Sequence, residues 1–212
     1  MDNIRIKKFF DGKLAKYGAG NLRSLAWSSS NSMRIRYKVL SGVANLKNQK
    51  ILDIGSGFSN FYSFIKKYNV KYTGIDISEK ICEISLAKHP ETEIMCGDFF
   101  TYNFTSRYDY VFCCGSFNIL QPNHIEYLHA AINKMYRLCK KGIAFNLPSN
   151  MGDWTNETYA GGNRKIKIAY VSPTNIFKYC KSISPYVTLR HDYLPRDFTI
   201  YMYKRNFNDT IL

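Results

Sequence analysis

No apolar run in the 212 residues approaches the roughly 20 that a membrane-spanning helix needs. The segment from Met1 to Leu14 carries lysines but no apolar core, so it does not read as a secretory signal. The six cysteines (Cys82, Cys96, Cys113, Cys114, Cys139 and Cys180) form no Cys-x-x-Cys pair. This speaks against a zinc site or a disulfide framework. Reduced thiols in a cytoplasmic protein are expected, with no metal and no membrane partner. Neither an internal repeat nor a low-complexity linker is visible, and one domain with a full core is expected at this length. Blocks of five or more Lys/Arg are absent as well; the longest basic runs are pairs such as Lys7-Lys8, Lys66-Lys67 and Lys140-Lys141. The net charge is nonetheless +14, from 30 basic and 16 acidic residues. A nucleic-acid partner is therefore admitted, but not favoured over charge spread across a solvated surface. No feature of the sequence sets an oligomeric state.

What the chain does have is a series of three acidic turns. The apolar run Ile51-Leu52-Asp53-Ile54 ends in Gly55-Ser56-Gly57, and a second run ends in Gly74-Ile75-Asp76. That spacing, roughly 20 residues, suits a nucleotide-binding βαβ unit. Glycines at 55 and 57 let the backbone approach a ligand that a Cβ would exclude. Asp76 can accept from both hydroxyls of a ribose. A third carboxylate, Asp98 in Gly97-Asp98-Phe99, closes a further unit. A dinucleotide fingerprint would require a third glycine where Asn60 stands, so that a pyrophosphate could rest on the helix N-terminus. Asp53 also opposes a phosphate and suits an ammonium group. The ligand expected from these residues has a cationic amino-acid head, a ribose and a base, and S-adenosyl-L-methionine (SAM) meets all three.

At these positions the sequence resembles the class I SAM-dependent methyltransferases. Residues 51–59 resemble the family's first motif and Tyr72-Thr73-Gly74-Ile75-Asp76-Ile77-Ser78 the second; Cys96-Gly97-Asp98-Phe99 resembles the third and residues 108–117 the fourth. The tail from His191 to Tyr201 is similar to a bacterial subgroup of small-molecule methyltransferase-like proteins. Ser59 departs from the third glycine of many members. The resemblance implies a Rossmann-like, doubly wound α/β fold: a mainly parallel seven-stranded sheet with a C-terminal antiparallel hairpin strand. It also implies that Asp76 holds the ribose, that Asp98 accepts from the adenine amine and that the Phe99 amide donates to a ring nitrogen. Ile77 would pack on the adenine. Asp53, Gly55, Ser56, Gly57 and Gly97 would complete the cofactor site, and the stretch from Gly115 through Phe117 to Asn118 would line the methionine part. The Asn/Asp-Pro-Pro-Tyr/Phe motif of amino-methylating nucleic-acid and protein enzymes is missing; Gly115-Ser116-Phe117-Asn118 stands there.

Along the chain, helical spacing is expected over 4–17 and 32–43, then strands near 50–54, 70–76, 93–96, 108–114 and 141–147. Helices fit 59–68, 78–88 and 123–139. Thr174 is expected to cap a helix running to about Ser182, before strands at 186–191 and 198–204. Residues 1–45 read as an N-terminal helical cap, 46–147 as the cofactor core, 148–172 as a candidate lid and 173–212 as a helix and hairpin. The stretch 146–170, glycine-bearing and without clear periodicity, reads as a long loop. In it Trp154 and Tyr159 offer apolar cover, and Arg164, Lys165 and Lys167 suggest an acidic acceptor. Arg34 or Arg36 suits the cofactor carboxylate, or equally a solvated helix face. Tyr17 and Trp27 can close over the methionine end or simply pack. If the acceptor must lose a proton, His191 with Asp192, His124 and Tyr193 are the candidate bases; His89 and His129 are expected on the surface. The function expected is transfer of a methyl group from SAM to oxygen or nitrogen of a small-molecule acceptor, leaving S-adenosyl-L-homocysteine (SAH). The alternatives are an RNA methyltransferase, or a nucleotide-binding protein without catalysis.

Overall fold

Alternate residues of the central strands serve two separate cores, and this divides the molecule into layers. In the computed structural model, which describes residues 3–151, 158–161 and 164–205, β1 spans Lys50–Ile54, β2 Lys71–Asp76, β3 Glu93–Cys96, β4 Tyr108–Cys114 and β5 Cys139–Pro148. Near the end of the chain β8 spans Val187–Leu194 and β9 Asp197–Tyr203. These seven form one sheet in the order β3-β2-β1-β4-β5-β9-β8. The first five are mutually parallel, and β9 runs antiparallel to both β5 and β8.

Side chains on a strand point alternately to opposite faces. Val111, Cys113, Ile143, Phe145, Leu147, Ile200 and Met202 therefore join one core. Their neighbours Tyr110, Phe112, Ala144, Tyr201 and Tyr203 join the other. On the first face lie α5 (His124–Leu138) and α6 (Pro173–Ile183). Buried Tyr127, Leu128, Ala131, Ile132 and Met135 make one stripe of α5 at the three-and-four spacing of an amphipathic helix. The second face is covered by α2 (Ser30–Ser41) and α3 (Asn60–Ile65). Two hydroxyls tie α2 and the turn after it to β9: Tyr201 Oη donates to the Val39 carbonyl, and Tyr203 Oη donates to the Val43 carbonyl at 3.0 Å. Helix α4 (Glu79–Lys88) packs on β2 and β3. Helix α1 (Asn3–Tyr17) crosses the ligand edge and packs against α4.

Several sequence expectations are corrected in detail. The helix expected over 59–68 is α-helical only to Ile65 and then tightens into a 3-10 turn, Lys66–Tyr68. Helix α2 starts at Ser30 because Ser29 accepts from the Ser32 amide and caps it. Ser172, not Thr174, caps α6: its hydroxyl accepts from the Asn175 amide, and Pro173 occupies the first turn. The stretch expected as an irregular loop contains an antiparallel hairpin, β6 (Thr158–Gly161) and β7 (Arg164–Lys167). It is docked through backbone bonds from Leu120 N to Lys167 O and from Ala169 N to Asn118 O, both 2.9 Å. His89 is buried rather than on the surface; it meets Ser63 Oγ at 2.8 Å and lies edge-on to Tyr62.

Candidate active site

At the carboxyl edge of β1, β2 and β4 lies a cavity of about 460 Å³. This is within the range of roughly 300–1,000 Å³ common for small-ligand pockets. Ligands of open α/β sheets bind at this edge. The start of β9 reaches the same edge because that strand runs the other way, with Asp197 paired to Pro148 in register.

The glycine turn after β1 sets the floor. Gly55 has φ +66°, and a Cβ there would lie 1.9 Å from Ser116 Oγ. That hydroxyl spans the turn, donating toward the carbonyls of Ile54 (3.0 Å) and Gly55 (3.3 Å). The amides of Gly55 and Ser56 both donate to the Ile75 carbonyl, and the Gly57 amide donates to Asp76 Oδ2 at 3.0 Å. Ser78 N donates to the other Asp76 oxygen at 3.1 Å. Burial raises the Asp76 carboxyl above the ordinary aspartate range, opposed by these amide bonds. A carboxylate offers about four acceptor positions. The amides of Gly57 and Ser78 take two of them, and the Ile77 amide acts on the same carboxylate.

Asp53 is 3% exposed. Tyr72 Oη donates to its Oδ2 at 2.6 Å, while Oδ1 has no protein partner. Burial pushes this carboxyl up to about 7, with Tyr72 pulling it down and Asp76 adding a smaller upward push. Gly97 (φ +157°) and the turn after it present Asp98, whose Oδ1 accepts from Phe100 N at 2.9 Å. Asp53, Gly55, Ser56, Gly57, Asp76, Ile77, Gly97, Asp98, Phe99, Gly115, Phe117 and Arg36 all border the cavity.

The other end has an apolar roof. Ile6, Phe9 and Phe10 of α1 line it, and Phe9 packs in one cluster with Ile119 and Ile166. Ile166, Ile168 and Tyr170 reach it as alternate residues of β7 and its extension. Lys167, between two of them, is exposed. Helix α1 is latched to the Asp76 loop, Ser78 Oγ donating to Asp11 Oδ1 at 2.5 Å and Lys7 pairing with Asp11 at 3.0 Å. Trp27, Arg36 and Asp197 form one wall. Arg36 and Asp197 are in direct ion-pair contact, and the guanidinium sits 5.3 Å from the Trp27 ring centre.

Three candidates do not reach the cavity. Tyr17 is at the far end of α1, beyond the turns that carry Phe9 and Phe10, with Lys13 and Lys16 over its ring. His124 opens α5 and is buried against Tyr127; its Nδ1 accepts from Gln121 N at 3.3 Å, and burial pushes it down to about 4. His191 lies on the edge strand β8, edge-on to Phe198. Arg34 is exposed. Trp154 lies outside the described residues, as do the side chains of Tyr159, Arg164 and Lys165. Asp197 went unread in the sequence. Its signal was its place at the head of the last strand, which antiparallel pairing returns to the ligand edge.

This strand order, with a glycine turn after β1 and acidic residues on β1, at the end of β2 and just after β3, defines the Rossmann-like fold of class I methyltransferases. Residues 51–142 match the family described as a methyltransferase domain. No curated protein sequence matches it. Among solved structures, the fold is similar to magnesium protoporphyrin IX methyltransferase from Synechocystis PCC 6803 with bound SAH. The TM-score is 0.69 at 14% identity, over 96% of this chain and 100% of that one. It is also similar to 1,6-didemethyltoxoflavin-N1-methyltransferase from Burkholderia thailandensis, with TM-score 0.68 and 11% identity, over 97% and 91% of the two chains. PH0226 protein from Pyrococcus horikoshii OT3 gives TM-score 0.62 at 19% identity, over 84% and 92%. Among the described residues no helix is long and apolar enough to cross a membrane.

Proposed function

We propose that the chain transfers the methyl group of SAM to an oxygen or nitrogen of a small-molecule acceptor held beneath α1 and the β6–β7 hairpin. The observation that carries this reading is Asp53 Oδ1, a buried carboxylate oxygen beside the cavity with no partner in the protein. Buried polar groups are ordinarily satisfied, so this one calls for a cationic ligand group and disfavours a pyrophosphate. The remaining residues fit the rest of SAM. Asp76 keeps acceptor capacity toward the ribose hydroxyls. Asp98 and the Phe99 amide serve the adenine edge, Ile77 packs on its face, and Arg36 meets the carboxylate.

When bound, SAM supplies a methyl group already activated on a sulfonium. The work left to the chain is to align the acceptor and exclude water. The roof residues Phe9, Phe10, Ile119 and Ile166 do the excluding. Neither His124 nor His191 borders the cavity. The enclosed apolar end suits a compact molecule with an apolar body, and Arg196 in the wall suits an acidic group on it. Support comes from similar folds named for small acceptors, magnesium protoporphyrin IX and 1,6-didemethyltoxoflavin. The six unpaired thiols suit a cytoplasmic setting.

The test is incubation of the chain with methyl-labelled SAM and separate small-molecule and RNA extracts. Label is expected in the small-molecule fraction. Label entering RNA alone overturns the acceptor class.

A further inference from the structure

Arg36 is committed to two partners at once. The proposed function assigns its guanidinium to the cofactor carboxylate, yet Asp197 already holds it. Asp197 is 2% exposed, so its charge depends on that cation. The groups that face the carboxylate come from several elements: Arg36 from α2, Asn146 from β5 and His191 from β8, with Tyr193 of β8 and Cys114 of β4 in electrostatic reach. Of these Arg36 exerts the largest effect favouring the charged form. The pair is also built in advance. Tyr201 and Tyr203 fasten α2 and the turn after it to the strand that begins with Asp197, and Trp27 covers one side of the guanidinium. Among the described residues two cations border the cavity, Arg36 and Arg196, and Arg36 is the one beside Trp27 at the methionine end.

We propose that Asp197 and the carboxylate of the bound cofactor compete for Arg36. Binding of the cofactor draws the guanidinium away from Asp197 and leaves that residue's buried carboxyl at the cavity to be satisfied by a hydrogen-bond donor or by a proton. The inference rests on the cofactor reading above. It makes the acceptor site complete only when the cofactor is in place, and it names the acceptor-side feature that fits: an O–H or N–H donor on the molecule to be methylated. Coupling of this kind is reciprocal. If the cofactor weakens the hold on Asp197, then Asp197 weakens the hold on the cofactor.

The experiment is calorimetric titration with SAH and with 5′-methylthioadenosine, an adenosine thioether that lacks the amino-acid head. Asp197→Asn should bind SAH about fivefold tighter than wild type and methylthioadenosine equally, within about twofold. Arg36→Gln should bind SAH at least about tenfold more weakly and methylthioadenosine unchanged. Weaker or unchanged SAH binding by a folded Asp197→Asn overturns the proposal, because a purely structural or supporting Asp197 gives that sign. Should Asp197→Asn fail to fold, the guanidinium nitrogen resonances of Arg36 in the wild-type protein decide. They should shift with SAH and not with methylthioadenosine, and equal shifts with both refute the handover. If neither compound binds wild type, the cofactor reading itself falls, a result distinct from these.

Discussion

Asp53 has one oxygen bonded to Tyr72 and the other facing no protein donor, and a pKa of about 7 follows from that burial. The sign of its effect can be worked out. The folded chain holds this proton more tightly than the unfolded chain does, so the stability contributed by the group falls as pH rises from about 4 to about 7; Asp76, also raised, acts in the same direction. A ligand with an ammonium group favours the ionised form. Below pH 7 binding must therefore expel a proton, and SAH affinity should rise with pH between about 5.5 and 7, by at most about tenfold per pH unit. In Asp53→Asn the rise should be reduced. Calorimetry across that range checks it; wild-type affinity that is flat or falls with pH contradicts the assignment. Asp53 was legible in the sequence because it precedes a glycine turn at the end of an apolar run. Arg36 was legible only as one of two arginines, since helix phase alone did not decide which faced inward. Asp197 was not legible, because its importance comes from a neighbour 161 positions earlier in the chain.

At the scale of elements, the hairpin β6–β7 is where sequence and structure part most. Its strands are four residues each and pair outside the main sheet, so no long periodic run announces them. A shorter signal was present: Ile166, Ile168 and Tyr170 alternate with Lys167 and Ala169, the period-2 pattern of a strand with one apolar face. The hairpin is held by Leu120 N to Lys167 O, Ala169 N to Asn118 O and buried Ile166. The amides of Leu120 and Ala169 should therefore exchange slowly with solvent deuterium. Ile166→Ala should speed both while leaving amides of the β5–β9 ladder unchanged. Fast exchange at both amides in the wild type would mean that this element does not roof the cavity. Helix α1, expected over 4–17, spans Asn3–Tyr17. What its sequence did not disclose was the receiving surface, because the Asp11–Ser78 latch joins residues 67 positions apart.

Over the whole molecule, a parallel sheet was legible because β1, β2 and β4 are short apolar runs each followed by a helix, while the seven-stranded arrangement came from the family resemblance. The apolar runs are local signals that agree with the global topology. The roof was not legible, since it is assembled from α1, residues 26–28 and the hairpin, three segments far apart in the chain. The net charge of +14 played no part in locating the cavity: Arg36 and Arg196 are its two cations among the described residues, beside Asp53, Asp76, Asp98 and Asp197. A cavity with that balance, with Asp53 Oδ1 orphaned beside it and Asp76 nearby, should discriminate strongly between two adenosine ligands. Titration of the purified chain with SAH and with NAD, side by side in a calorimeter, measures this directly. SAH should bind with micromolar affinity, about −8 kcal/mol, and NAD far more weakly. NAD binding tighter than SAH would contradict the account.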